Sequence, residues 1–326
     1  MLIAVFILGL IFVFLNGLND SSNLVATVIS TRALNPRAAL LATAVGEFLG
    51  PFLFGMAVAR TLGADLLVSS TLELTALAAG LAGAIVWVIL TVRLGIPSSS
   101  SHALVGGLVG GALAASGLAA IQSTGLFRVL VALLISPPLG LIAGYISTKL
   151  VFLFFARAKP NVNRLFQRLQ VITSFSLALG HGSNDGQKTM GVLALALLVA
   201  GQTRDFLIPI WVVTMVAVAI ALGTITGGWG LIRTLGGRIM KVRPVHGFAS
   251  QAGGAVVMLA AALYGGPVSL TQVVSSSLMG AGAAQRVKMV RWGVGRDMLI
   301  AWLLTIPASA VLSALFYLLI AKLSSN

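Results

Sequence analysis

Two short stretches carry most of the chain's unusual chemistry. Gly17-Leu18-Asn19-Asp20-Ser21-Ser22-Asn23 follows an uncharged apolar run over residues 1–15, and hydrophobicity resumes through Ile29. Gly182-Ser183-Asn184-Asp185-Gly186-Gln187-Lys188 follows a second apolar run, Val171 to Leu179. An ionised side chain at membrane depth costs about 3 kcal/mol on insertion scales. An apolar chain that carries one twice, at matching places, points to an ion and substrate site inside a membrane, with both helices broken there. Asp carboxylate and Asn carboxamide oxygens are hard ligands suited to Na⁺, and the carboxylate also suits a proton. Asn23 lies one turn beyond Asn19 and Asp20, so it shares their face where helix resumes, and Thr27 extends that face. Asp20 and Asp185 also suit the N-caps of the resumed helices. Capping alone does not explain why so apolar a chain carries the costly group twice.

A second pair of segments follows the first in order. Gly95-Ile96-Pro97-Ser98-Ser99-Ser100-Ser101-His102 leads into a small-residue helix to Ser116. Gly265-Gly266-Pro267-Val268-Ser269-Leu270-Thr271-Gln272 leads into a small-residue run to Ala284. Pro pre-sets a helix N-terminus. Ser98, Ser99, Ser100 and Ser101, and more sparsely Ser269 and Thr271, place hydroxyls beside unpaired N–H groups at the positive end of a helix dipole. That arrangement suits an oxyanion. A plain membrane turn, with hydroxyls satisfying freed backbone groups, is the alternative. Ser101 beside His102 invites a hydrolase reading. Adjacent helical residues point about 100° apart, however, and the second segment has Gln272 where a base would stand.

The elements that must hold these segments are membrane spans. The chain has 326 residues, 58% hydrophobic and 9% charged, against about 25% charged in soluble domains. Several runs reach the roughly 20 residues that cross a bilayer core, and they are continuous rather than alternating, which excludes a barrel. The reading is an all-α polytopic membrane protein. The net charge of +14 lies mostly between the apolar runs, as loop charge obeying the positive-inside rule rather than a nucleic-acid surface. No cysteine is present, so neither disulfides nor a thiolate metal site arise. The N-terminus lacks a basic n-region and a small-residue cleavage site and reads as a retained first helix.

Expected spans cover residues 2–15 resuming to 31, 38–59, 74–92, 129–155, 171–200 with a break, 206–223, 248–264 and 298–321. Residues 228–247 read as a Gly-rich, basic interfacial segment. The organisation is an N-terminal repeat over 1–155, a basic cytoplasmic linker over 156–170 and a C-terminal repeat over 171–326. Both halves run in one order, from Asn-Asp break to Pro-Ser break to closing span. Duplicated halves with matched broken helices are a secondary-transporter plan. Glu47, a lone acid in a span, is a coupling-ion ligand or proton site, or else pairs with a base or caps a break near Pro51. Lys188 neutralises substrate charge or partners Asp185. His181 and His246 lack metal-ligand spacing and read as loop or packing residues. Gly106, Gly107, Gly110 and Gly111 form overlapping GxxxG pairs, read as close helix packing.

GLNDSSNLVATVISTRAL, GIPSSSSHALVGG, HGSNDGQKTMG and GGPVSLTQVVSSS together resemble the inorganic phosphate transporter (PiT) family, over essentially the whole chain. The resemblance implies an all-helical inverted repeat with Pro-Ser half-helices, usually a homodimer, in the plasma or inner membrane. It implies Na⁺ held by Asn19, Asp20, Asn23, Asn184 and Asp185. It also implies phosphate held by Ser98 to Ser101, Ser269 and Thr271, with Asp20 and Asp185 contributing. Two departures stand out. Ser269-Leu270-Thr271-Gln272 replaces the family's usual Ser-Thr-Thr-His, and the loop between the halves is short. The expectation is import of inorganic phosphate by symport with Na⁺, or with H⁺ as the alternative, through alternating access, with no cofactor and no enzymatic activity. Sulfate permeation on the same scaffold, a passive anion channel and an intramembrane hydrolase are the rivals.

Overall fold

A computed structural model describes residues 1–159, 161–227 and 239–324. These contain eleven α-helices. The first half gives α1 (Leu2–Ser30), α2 (Pro36–Leu53), α3 (Ala57–Gly63), α4 (Leu74–Leu94), α5 (Ser100–Ser116) and α6 (Ser123–Phe154). The second half gives α7 (Val162–Val199), α8 (Ile210–Ile225), α9 (Pro244–Tyr264), α10 (Leu270–Gln285) and α11 (Trp292–Ser324). Among the described residues, six helices are long and apolar enough to cross a membrane: α1, α4, α5 with the turn after it, α6, α9 and α11. A seventh span arises if α2 and α3, bent by 78° at their junction, cross together. Leu134, Ile142 and Leu150 of α6 and Leu303, Leu304 and Leu315 of α11 are exposed, which is the apolar belt a bilayer requires.

The two halves interlock. α2 lies along α7 and α8 lies along α1. α5 packs on α11, the last helix of the other half, and α10 packs on α6. Glycines set these approaches. A Cβ on Gly182 would lie 2.2 Å from the Glu47 carbonyl oxygen, and one on Gly50 would lie 2.3 Å from that of Leu179, so α2 and α7 touch backbone to backbone. The GxxxG pairs divide between two neighbours. Gly106 and Gly110 meet Ile306 and Ala310 of α11, while Gly107 and Gly111 meet Gly80 and Ala76 of α4. Small residues allow such crossings where apolar lipid offers no drive for association.

Several expectations are corrected. Neither helix breaks at its Asn-Asp stretch: α1 and α7 run through Asn19-Asp20 and Asn184-Asp185 without interruption. Their polar side chains find partners on neighbouring helices, so the backbone ladder has no reason to open. The broken helix is instead α2–α3, where Gly55 (φ 71°) turns the chain and Gln187 of α7 accepts a hydrogen bond from Val58 N, 2.9 Å, at the start of α3. α7 begins at Val162 rather than 171, so most of the basic linker is helical. Within the expected interfacial segment, residues 228–238 lie outside the described residues, and α9 already begins at Pro244.

Gly182→Ala should destabilise the detergent-purified protein by the roughly 1–3 kcal/mol typical of overpacking, seen as a lower thermal midpoint. Gly293→Ala, whose Cβ would meet nothing within 4 Å, is the control. Equal midpoints in a melting experiment would contradict the close α2–α7 crossing.

Candidate functional site

The Pro-Ser segments have the same construction in both halves. α4 ends in a left-handed Gly95 (φ 66°) and α9 in a left-handed Gly265 (φ 77°), a conformation that favours glycine. Each chain then makes a tight turn about its proline: Ser98 N donates to Ile96 O at 2.8 Å, and Val268 N to Gly266 O at 2.9 Å. Pro97 and Pro267 therefore precede the helices rather than open them. Ser99 is the N-cap of α5, accepting from His102 N, and Ser269 is the N-cap of α10, accepting from Gln272 N.

These two helix starts meet. Ser99 Oγ donates to Ser269 Oγ at 2.8 Å. Beyond them, Gln272 Nε2 lies 3.5 Å from His102 Nε2. Two helix N-termini face to face bring two positive partial charges together, which is stable only with negative charge nearby. Asp20 and Asp185 provide it. Asp20 Oδ1 accepts from Thr271 Oγ1 and from Asn23 Nδ2, both at 3.0 Å. Lys188 donates to Asp185, to the Val268 carbonyl and, at 2.6 Å, to Ser101 Oγ. Ser100 Oγ donates to Asn16 Oδ1 at 2.8 Å and lies 3.4 Å from Asp20 Oδ2.

His181 connects the acids. Its Nδ1 contacts Glu47, and its Nε2 lies 2.7 Å from Asp185 Oδ2 and 3.4 Å from Asp20 Oδ2. Thr224 of α8 donates to the other oxygen of Glu47. All four of Asp20, Glu47, His181 and Asp185 are buried. Ligand atoms of Asp20, His181 and Asp185 lie within 4.8 Å of one another, a spacing that would fit one cation. Asn184 donates to Gly266 O at 2.9 Å, and its own Oδ1 is buried without a partner among the described residues.

The structure thus gathers Asp20, Asn23, Ser99, Ser100, Ser101, Asp185, Ser269, Thr271 and Glu47 into one connected cluster, with Asn184 at its edge. Asn19 is half-buried and reaches Asp20 only at 3.4 Å. The Ser98 hydroxyl is engaged with Thr91 Oγ1 at 2.6 Å. His181 is corrected from a packing residue to the hub of the acid cluster. Its signal was its place four residues before Asp185, one helical turn on the same face. Asn16 stands at the same offset from Asp20 and carries the same signal. His246 does pack, edge-on to Phe152 with ring centroids 6.4 Å apart. A Ser–His pair exists, since His102 Nδ1 lies 2.9 Å from Ser99 Oγ. That hydroxyl is committed to Ser269, and the far ring nitrogen faces an amide, so no acid orients the imidazole as nucleophilic catalysis needs.

Buried ionisable groups where two helix starts meet, in a multi-pass helical protein, are features of a transporter site. The model of the Phosphate transporter family matches this chain twice, over residues 16–160 and 155–313. The chain belongs to that family. It is 42% identical over 319 residues to a probable low-affinity inorganic phosphate transporter of Rhizobium meliloti (strain 1021), covering 97% of this chain and 96% of the relative. It is 42% identical over 322 residues to one of Bacillus subtilis (strain 168), covering 98% and 96%. A solved structure titled the sodium-dependent phosphate transporter superposes with a TM-score of 0.90 at 25% identity, covering 98% of this chain and 99% of that one. The protein is therefore a phosphate transporter, multi-pass in the plasma membrane, and not an enzyme.

Removing one member of a buried ion pair leaves the other uncompensated, at a cost of about 3–5 kcal/mol. His181→Gln should therefore destabilise the protein strongly, and adding Glu47→Gln should cost much less than a second loss of that size. Additive losses in a double-mutant cycle of thermal or denaturant unfolding would contradict the coupling.

Proposed function

We propose that the protein imports inorganic phosphate by symport with Na⁺, with H⁺ the less favoured coupling ion, by alternating access around the Asp20–Asp185 cluster. The observation that carries this is the meeting of the α5 and α10 N-termini at Ser99 and Ser269, between two buried carboxylates. The helix starts and their hydroxyls suit an oxyanion. The carboxylates and carboxamides suit a hard cation. His181 and Lys188 answer part of the charge of Asp20, Glu47 and Asp185, and a cation that enters with the anion answers the rest, which favours coupling.

Asn19, Asp20, Asn23, Asn184 and Asp185 form the cation side of the site in this reading, with Lys188 already paired to Asp185. Ser99, Ser100, Ser101, Ser269 and Thr271 serve phosphate, and Ser98 supports the end of α4. Apart from half-buried Asn19, these side chains are buried, which supports alternating access, because substrate reaches them only if the halves move. The interlocked packing and the identical Pro-Ser construction support two inverted repeats, 1–155 and 171–326, joined through 156–170. Likeness to a structure titled as sodium-dependent supports Na⁺. The relatives named above carry phosphate, not sulfate, in their names.

Labelled phosphate uptake into liposomes should require an inward Na⁺ gradient and resist excess sulfate. Asp20→Asn and Asp185→Asn should each cut it by about 100-fold or more, the equivalent of a lost buried charge, while leaving the protein inserted. Uptake driven by membrane potential alone would indicate a channel instead. Normal uptake in both variants would sink the assignment of the site.

A further inference from the structure

The two halves of the site correspond position by position, and one of the positions at which they differ places a lysine beside the acid of the second half only. On α1, Asp20 is followed three residues later by Asn23, and both bond to Thr271 at the start of α10. On α7, Asp185 is followed three residues later by Lys188, and Lys188 bonds both Asp185 and Ser101 at the start of α5. Thr271 lies two residues past its cap, Ser269, and Ser101 lies two past Ser99. Lys188 therefore stands in the second half where Asn23 stands in the first.

Its ammonium is surrounded as a bound cation would be. Around Nζ are a carboxylate oxygen of Asp185, the hydroxyl of Ser101 and the carbonyl of Val268. All three are hard oxygen donors of the kind that alkali and alkaline-earth ions take. The equivalent place in the first half has Asp20, Thr271 and a neutral carboxamide in place of the lysine, with the shared His181 3.4 Å from the other Asp20 oxygen. One turn further along α1, Thr27 is buried, and its hydroxyl has no partner among the described residues. The matching residue on α7 is Val192, which offers no oxygen.

We infer that the Lys188 ammonium is a built-in substitute for a coupling cation. The Asp185–Ser101 half-site is occupied by the protein's own charge, and the Asp20–Asn23–Thr271 half-site is left to take a Na⁺. Each transport cycle then uses one Na⁺ fewer than a site with two open halves. This rests on the Na⁺ reading above.

The test counts bound ions without transport. For a ligand bound only by the folded state, stability rises with the logarithm of its concentration, and at saturation the slope gives the number of ions. The unfolding free energy of the purified protein in detergent would be measured against Na⁺ concentration at constant ionic strength with choline. Lys188→Asn, which recreates the Asn23 arrangement, should raise the slope by about one ion over the wild-type protein. Lys188→Gln should do the same if the Asn variant folds poorly. Asp20→Asn should lower the slope. Equal slopes in the wild type and both Lys188 variants would overturn the inference, as would a variant that only raises the KM for phosphate, since Lys188 would then be an anion ligand. A wild-type slope of zero with a gain in the variants would refute Na⁺ coupling in this protein while upholding the substitution of Lys188 for an ion.

Discussion

Three carboxyl groups, Asp20, Glu47 and Asp185, are buried around one imidazole, His181, inside a helical membrane protein. That concentration of charge is the constraint on which the rest depends. Isolated ions at this depth are strongly unfavourable, and each has to be answered by a partner with good geometry. The partners come from α1, α2, α5, α7, α8 and α10. The helices are consequently tied to one another by their most expensive side chains. The small-residue crossings have the same end, because only a backbone-level contact between α2 and α7 brings Glu47 within reach of His181.

The second constraint is the meeting of two helix N-termini. α5 and α10 are both preceded by a left-handed glycine and a proline turn, and both are capped by a serine. Their caps share a hydrogen bond. Positive ends that face each other are incompatible with an empty apolar surrounding and compatible with one filled by carboxylates, cations and an oxyanion. The arrangement across the halves makes this possible, since the first half supplies the α5 start and Asp20, the second the α10 start and Asp185, and each acid faces the other half's helix. Thr271 serves Asp20 across the halves, and Ser101 serves Asp185 through Lys188.

Much of this was legible in the sequence. Polar interruptions in apolar runs identified Asp20 and Asp185, and the paired Pro-Ser segments identified the caps. What failed was local. Asn19-Asp20 and Asn184-Asp185 looked like helix breaks because nothing in the sequence says which neighbours will satisfy them. With lateral partners present, the helices simply continue. His181 looked unremarkable because its partner Glu47 lies 134 residues away, joined through a crossing that glycines permit but do not announce. Ser98 looked like its three neighbours until the turn at Pro97 directed it to Thr91. The equivalence of Asn23 and Lys188 was available in the text of the two motifs, at the same offset from each Asp. Only their opposite partners, Thr271 and Ser101, gave it a physical meaning.

The central claim is that an anion enters this acid-rich site only with a cation beside it. The most direct measurement is calorimetric titration of inorganic phosphate into the purified protein, without any gradient, in sodium chloride and in choline chloride of equal ionic strength. The account predicts binding in sodium that weakens by about 100-fold or more in choline, the effect of leaving one buried charge unanswered. Equal affinity in the two salts would contradict it, and would mean that the helix N-termini hold the anion without help from the ion.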